Sequence, residues 1–291
     1  MFQVTVPCVR AKSIREALAM AADGGRILAG GTDVLVLAKE NMITSERLID
    51  ISSIPELRGI EINSKKIIIG AAVSLTEVMT HPLIRAEFPA LVMACDVFAS
   101  PQIRNRATLA GNIANASPAG DTIPALYAYD AIVQIRGRSS GSPGGRRSVP
   151  ATEFVSAPRR TALEPGDLIT EIVLPRTHGT HKGMFIKIGQ RKSLAISKTM
   201  VAVATTEFSA GTIKHIGIAL GAVAPTIIRL PDAEALLTGK KVTRELARQA
   251  RAFAEAAVRP IDDIRSTADY RRKVSGVIVE RGLLGLRILE S

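Results

Sequence analysis

The chain has 291 residues, with 38 Lys and Arg against 27 Asp and Glu, 46% apolar and 3% aromatic residues, no Trp and two cysteines. That length predicts two compact domains or three small ones, and the apolar content excludes a disordered chain, only residues 137–147 having the composition of a flexible segment. Cys8 and Cys95 form neither a CxxC nor any metal-ligand spacing, which excludes a disulfide scaffold, a cysteine-built zinc site and a cysteine-held iron–sulfur cluster within this chain and points to a reducing, cytoplasmic compartment.

The net charge of +11 is unevenly placed: residues 1–55 carry 6 basic and 6 acidic side chains, residues 56–177 carry 13 and 11, and residues 178–291 carry 19 and 10. With three Tyr, seven Phe and no helix-turn-helix or RNA-recognition pattern, nucleic acid is not an expected partner. A basic flank facing an acidic partner surface, or a solvated face, accounts for the excess. The first residues spell an amphipathic helix, not a basic segment followed by an apolar core, so no targeting signal is expected. Apolar runs such as 213–225 are too short and glycine-rich to span a bilayer, and no membrane span is expected.

In chain order, Ser13-Ile14-Arg15-Glu16 reads as a capping box opening a helix to about Asp23, which Gly24-Gly25 stops. Arg26-Ile27-Leu28-Ala29 is a short strand, Gly30-Gly31-Thr32-Asp33 a turn, and residues 34–39 the next helical turns. A strand follows at 48–51, then a hairpin of 59–62 and 66–71 joined by Asn63-Ser64-Lys65. Helices cover 75–79 and 89–99. Residues 101–121 are polar and glycine-bearing with little periodicity, and read as an extended functional loop. Strands resume at 131–136 and 168–174, flanking a flexible loop at 139–147. Residues 175–182 mark a domain boundary. Beyond it, 184–188, 199–208 and 213–221 alternate like three antiparallel strands. Helices follow at 232–237, 243–258 and 267–288, the last opening on Ser266-Thr267-Ala268-Asp269, a second capping box. The fold class is α+β, without repeats.

Most catalytic patterns are absent: there is no HExxH, GxxxxGK or GxGxxG, so zinc-peptidase, P-loop and Rossmann chemistry lack their physical core. Gly137-Arg138-Ser139-Ser140-Gly141 matches GxSxG but enters the flexible loop instead of a strand-to-helix elbow. His178 and His181 flank a Gly-Thr pair and read as loop residues, so no metal site is expected. Two glycine-bearing segments remain. Ala29-Gly30-Gly31-Thr32-Asp33 leaves a strand and enters a helix, which frees successive amides to converge on an anion while glycine permits close approach. Residues 108–121 hold Thr108, Asn112, Asn115, Ser117 and the single carboxylate of Asp121 among small residues. That inventory suits a polar, extended ligand: main-chain, Thr and Asn donors for phosphate oxygens, and Asp121 as an acceptor for ribose hydroxyls or a ring N–H.

Together these two segments resemble the paired pyrophosphate-binding loops of the FAD-binding medium subunit of molybdenum hydroxylases, the family of bacterial xanthine, nicotinate and carbon monoxide dehydrogenases. Pro101-Gln102-Ile103-Arg104-Asn105 is similar to the family's lead-in to the second loop. Lys187-Ile188-Gly189-Gln190-Arg191-Lys192-Ser193-Leu194-Ala195-Ile196-Ser197 and Arg259-Pro260-Ile261-Asp262-Asp263-Ile264-Arg265 look like its C-terminal signatures. The match runs through the whole chain in order.

The resemblance implies a two-part FAD-binding domain of the PCMH type, residues 1–55 and 56–177, followed by a C-terminal domain at 178–291 built on an antiparallel sheet with helices. It also implies the cofactor contacts. Ile27, Leu28, Ala29, Gly30, Gly31, Thr32, Asp33 and Val34 would line the pyrophosphate and ribityl chain, while Thr108, Leu109, Ala110, Gly111 and Asn112 would clamp the pyrophosphate from the other side. Phe98 would place an aromatic ring near the cofactor, Ser117 and Asp121 would contribute polar contacts, Ile169 would lie by the isoalloxazine, and Lys187 would sit near that ring and favour negative charge on its reduced form. The family's second loop commonly reads Thr-x-Gly-Gly-Asn. Here Ala110 replaces the first of those glycines, and Ile169 replaces a usual Leu. No catalytic residue and no metal ligand is assigned.

A redox chain with no cluster ligands of its own implies partners. The resemblance implies a large subunit carrying molybdopterin, where substrate is hydroxylated, and a small subunit whose two [2Fe-2S] clusters pass electrons to FAD. The external acceptor, NAD, a quinone, O2 or a carrier protein, is left open, as is the substrate. The competing expectation is a stand-alone FAD-dependent reductase of the same wider fold, whose C-terminal domain would bind substrate.

Overall fold

The computed structural model describes residues 6–137, 145–191, 193–209 and 211–288. Ser139, the serine of the GxSxG match, lies outside them, as does most of the expected 139–147 loop. The part that is described, Gly145–Pro150, is a strand paired with Ile132–Gly137.

The N-terminal layer is a three-stranded parallel sheet in the order Cys8–Arg10, Leu48–Asp50, Arg26–Leu28. The first of these strands escaped prediction because its side chains are all exposed, leaving no alternation to read. The helix Ile14–Ala22 packs Ile14, Ala17 and Ala21 into the core. Its capping box is displaced by one residue. Ser13 Oγ accepts from the Glu16 amide at 3.2 Å, but the Glu16 carboxylate accepts from the Lys12 amide at 2.6 Å instead of from Ser13. The complete box lies elsewhere, at Ser74 and Glu77, opening the helix Leu75–Thr80.

The second layer is a five-stranded antiparallel sheet, Ile60–Ile62, Lys66–Gly70, Leu168–Pro175, Ile132–Gly137 and Gly145–Pro150 in spatial order. Helices Leu75–Thr80, Pro82–Glu87 and Pro89–Asp96 follow its first hairpin. The expected helix at 89–99 ends early, since Ala99 takes a left-handed φ of 43° and Ser100 starts a new helix, its hydroxyl accepting from the Ile103 amide. The expected loop at 101–121 is corrected to two short helices, Pro101–Arg104 and Leu109–Asn115, capped by Ser100 and Thr108. One or two turns are too short for a hydrophobic period to register, and only the cap residues mark them. The helix Ile123–Ala128 is buried on every side, so it too lacks an amphipathic signature.

The C-terminal sheet is antiparallel, Thr180–Ile188, Thr199–Ser209, Thr212–Gly221 and Ile228–Arg229. Alternation along its second strand divides the core. Met200, Ala202 and Ala204 join the cluster that contains Phe88, Leu91 and Tyr129, while Val201 and Val203 join Ile278, Val279, Leu283 and Leu286 of the helix Ala268–Ile288. Helix Arg244–Ala257 packs beside that last helix and buries Ala247, Ala250 and Ala254 in the same cluster. The last helix is capped one residue later than expected: Thr267 Oγ1 accepts from the Tyr270 amide and the Asp262 carboxylate accepts from the Ala268 amide, while the Ser266 amide donates to the Asp263 carbonyl.

The C-terminal sheet lies directly on the helices of the second layer. A Cβ at Gly217 would fall 2.0 Å from the Ala128 carbonyl oxygen, so strand and helix backbones touch with no room for a side chain. Gly217→Val is expected to destabilise the protein by about 3 kcal/mol or more, because backbone on both sides resists the overpacking. A urea denaturation midpoint equal to that of the wild type would contradict this. Beside the contact, Arg229 donates to Asp130 at 2.7 Å, to the Tyr127 carbonyl at 2.6 Å and to Glu234 at 2.5 Å. His215 Nε2 lies 3.1 Å from the same Asp130 carboxylate, which holds the His215 pKa above its ordinary value.

Candidate functional site

A cavity of about 660 Å³ opens between the first and second layers. Its floor is made where the two glycine-bearing segments meet back to back: a Cβ at Gly30 would lie 1.9 Å from the Arg106 carbonyl oxygen. Gly31 follows with φ +75°, in the left-handed region that glycine enters without strain. The chain then turns into the helix Val34–Lys39. Asp33, its N-cap, makes no side-chain cap bond. Its carboxylate instead accepts from Asn115 Nδ2 at 3.3 Å and Arg159 Nη1 at 3.2 Å, and Arg159 also donates to Asn115 Oδ1. This clasp joins the two layers at the edge of the cavity.

On the opposite wall, Thr108 caps the helix Leu109–Asn115, its hydroxyl accepting from the Gly111 amide at 2.9 Å. The amides of Leu109 and Ala110, in the first turn, have no acceptor within the helix. Ala110 has no positive φ, so alanine meets the backbone requirement at the place where the resembling family commonly has glycine. Asn112 Oδ1 accepts from Thr122 Oγ1 at 2.7 Å.

Of the residues expected at the site, Ile27, Ala29, Gly30, Gly31, Thr32, Asp33, Val34, Phe98, Thr108, Ala110, Gly111, Asn112 and Ile169 line this cavity. Leu28 and Leu109 do not line it, their side chains being buried in the core, which leaves only their main chain for a ligand. Ser117, Asp121 and Lys187 lie outside the lining as well. Ser117 Oγ accepts from the Ala119 amide at 3.2 Å. Asp121 and Lys187 face each other, Lys187 Nζ donating to Asp121 Oδ2 at 2.6 Å while Ser197 Oγ donates to Oδ1 at 2.9 Å. Burial pushes the Asp121 carboxyl above its ordinary range against the pull of both partners.

Sequence reading missed the wall formed by residues 163–168, together with Ser45, Arg159, Thr122 and Ser197. Arg159 occupies a left-handed turn (φ 61°), and its role depends on Asp33, distant in the chain. No local pattern could have revealed it.

Among the described residues, Arg26 is the one basic residue that lines the cavity. An anionic ligand would therefore be met by main-chain amides and by Thr and Asn side chains, with Ile27, Phe98, Ile103, Leu163, Leu168 and Ile169 offering apolar surface. That combination suits a ligand with a phosphate centre and flat ring systems. Among the described residues, no group of three or more His, Cys, Asp and Glu could hold a metal ion, and no helix is long and apolar enough to cross a membrane. Cys95 is fully buried, which pushes its thiol up to about 12 and removes it as a nucleophile.

Comparison with known proteins places matches along the whole chain. The family model of the FAD binding domain in molybdopterin dehydrogenase matches residues 1–177, and that of the CO dehydrogenase flavoprotein C-terminal domain matches residues 184–286. The carbon monoxide dehydrogenase medium chain of Hydrogenophaga pseudoflava is 36% identical over 276 residues, covering 94% of this chain and 93% of that protein. The nicotinate dehydrogenase FAD-subunit of Eubacterium barkeri is 33% identical over 222 residues, 75% of this chain and 73% of that one. Among solved structures, the carbon monoxide dehydrogenase of Hydrogenophaga pseudoflava lacking the Mo-pyranopterin moiety superposes with a TM-score of 0.91 at 34% identity, covering 99% of each chain. Quinoline 2-oxidoreductase of Pseudomonas putida 86 superposes with a TM-score of 0.88 at 26% identity, covering 98% of each.

Proposed function

The chain belongs to the FAD-binding medium subunits of molybdenum hydroxylases and is an oxidoreductase subunit, and from that premise we propose that the cavity between its first two layers is where FAD binds. The observation that carries the reading is the back-to-back contact of Gly30 with the Arg106 carbonyl, which brings two amide-bearing segments to one concavity with no side chain between them. In this reading the chain divides into FAD-binding subdomains at 1–55 and 56–177 and a C-terminal domain at 178–291.

The residues divide the task by chemistry. Main-chain amides within 27–34 and those of Leu109 and Ala110, with Thr32, Thr108 and Asn112, hold the pyrophosphate, since amide donors stabilise anions without a competing countercharge. Ile27, Phe98 and Ile169 give apolar surface to the rings. Ser117, Asp121 and Lys187 complete the site toward the C-terminal sheet. There the Lys187 ammonium, shielded from water beside Asp121, supplies positive charge.

When bound, FAD supplies the exchange between one-electron donors and an external acceptor. Its electrons would come from the [2Fe-2S] clusters of a small subunit, themselves supplied by the molybdopterin centre of a large subunit, and would leave to NAD, a quinone, O2 or a carrier protein. The match of residues 184–286 to a flavoprotein C-terminal domain supports this subunit role over a stand-alone reductase, and the complex is assigned to the cytoplasm.

Gly111→Val tests the site. Gly111 lines the cavity, and a Cβ there would lie 3.0 Å from the Thr108 hydroxyl, so the branched side chain displaces the cap and fills space meant for cofactor. FAD binding is expected to weaken at least about tenfold, read as flavin content of the purified protein and by titration of the deflavinated form. A variant that keeps stoichiometric flavin overturns the assignment.

A further inference from the structure

We propose that Thr122 is a positioning residue for the cofactor cavity: its buried hydroxyl orients the Asn112 carboxamide so that the Asn112 amino group donates into the cavity. The inference rests on the flavin reading and adds to it a residue that does not line the site.

Two observations support it. Thr122 is fully buried, and its hydroxyl lies 2.7 Å from Asn112 Oδ1. A hydroxyl has one proton to give. When that proton goes to the carbonyl end of the carboxamide, the Nδ2 amino group is turned away from Thr122, and Asn112 lies on the cavity wall. The opposite rotamer would present a carbonyl oxygen to a phosphate, placing acceptor against acceptor.

The second observation is what Thr122 does not do. It is the N-cap of the helix Ile123–Ala128, a place where threonine ordinarily bonds the helix's own amides, yet its side chain makes no cap bond. The capping bond is forgone, and the hydroxyl bonds across to the neighbouring helix instead. The backbone that allows this is held from the other side. The preceding carboxylate, Asp121, is gripped by Lys187 and Ser197, so consecutive residues point in opposite directions, one into the C-terminal sheet and one to the cavity wall.

The test uses the full-length chain with whatever subunits copurify, deflavinated and titrated with FAD by flavin fluorescence. Thr122→Val, which keeps the side-chain shape and removes the donor, is expected to weaken FAD binding about tenfold, the scale of one hydrogen bond to a charged ligand. Thr122→Ser is expected to restore it. Asn112→Ala weakens binding by itself, and adding Thr122→Val to Asn112→Ala is expected to change nothing more, because the two residues act as one unit. The thermal midpoint of the flavin-free protein separates this from general destabilisation, and the serine variant keeps the test valid if the valine variant folds poorly. Thr122→Val binding FAD like the wild type, or losing the same affinity in the Asn112→Ala background, overturns the inference and leaves the flavin reading intact. Wild-type protein that takes up no FAD overturns the flavin reading and this inference with it.

Discussion

Gly30→Ala is expected to lose FAD and stability together. A single methyl at this position would sit 1.9 Å from the Arg106 carbonyl oxygen, 2.5 Å from its carbonyl carbon and 3.0 Å from the Ala107 amide nitrogen. All three are backbone atoms, so no side chain can swing aside, and the two segments must separate. That separation widens the floor of the cavity and disturbs Leu75, whose amide donates to the Ala107 carbonyl at 2.8 Å. A loss of about 3 kcal/mol or more is expected from forced backbone displacement. Gly59→Ala is the matched control, since a Cβ there meets nothing within 4 Å. Urea denaturation of both variants with and without added FAD checks the prediction. If Gly30→Ala unfolds like Gly59→Ala and binds FAD like the wild type, the contact between the segments does not organise the site.

Lys187→Met is expected to destabilise the protein by about 3–5 kcal/mol at neutral pH, the usual consequence of removing one partner from a buried ion pair. Asp121 is 6% exposed, and after the change, among the described residues, only the Ser197 hydroxyl still meets its carboxylate. Burial already raises the Asp121 pKa with the ammonium in place, and without it the rise is larger. A carboxyl whose folded pKa lies above its unfolded value near 3.9 binds more protons in the native state, so its stability is highest at low pH and declines as pH rises through the folded pKa. The deficit of Lys187→Met relative to wild type is therefore expected to grow from about pH 4 upward, and Asp121→Asn in the same chain is expected to recover most of it. A deficit that does not change with pH, or that the second substitution leaves in place, contradicts the pairing.

Much of the fold around the candidate site is legible in the sequence. Strand, glycine turn and helix at residues 26–39 follow from local rules, because the turn residues and the change from strand to helix period lie side by side. The alternation in 199–208 and 213–221 marks strands for the same reason, each residue's face being set by its neighbours two positions away. Residues 101–121 read in sequence as an extended loop because seven residues of helix, Leu109–Asn115, carry too few turns to show a period. The helix Ile123–Ala128 was invisible because burial on every side removes the contrast between faces on which such reading depends.

Asp121 and Lys187 show where the two sources of information part. Both were expected at the cofactor from the resemblance, each as a separate contact. Only the folded chain shows that they bond each other, at 2.6 Å across a separation of 66 residues, and that Thr122 turns its hydroxyl away from its own helix toward Asn112.

The sequence alone determined the α+β class and the two segments that frame the cavity, since turns, capping residues and side-chain periodicity act within a few residues of the chain, and its motifs carried the resemblance to the family. Tertiary structure decided the Gly30–Arg106 contact, the Asp33–Asn115–Arg159 clasp and the Asp121–Lys187–Ser197 cluster. Those depend on how distant segments approach one another, and the free energy that selects them resides in the shared core and in the desolvation of groups that are not neighbours in sequence.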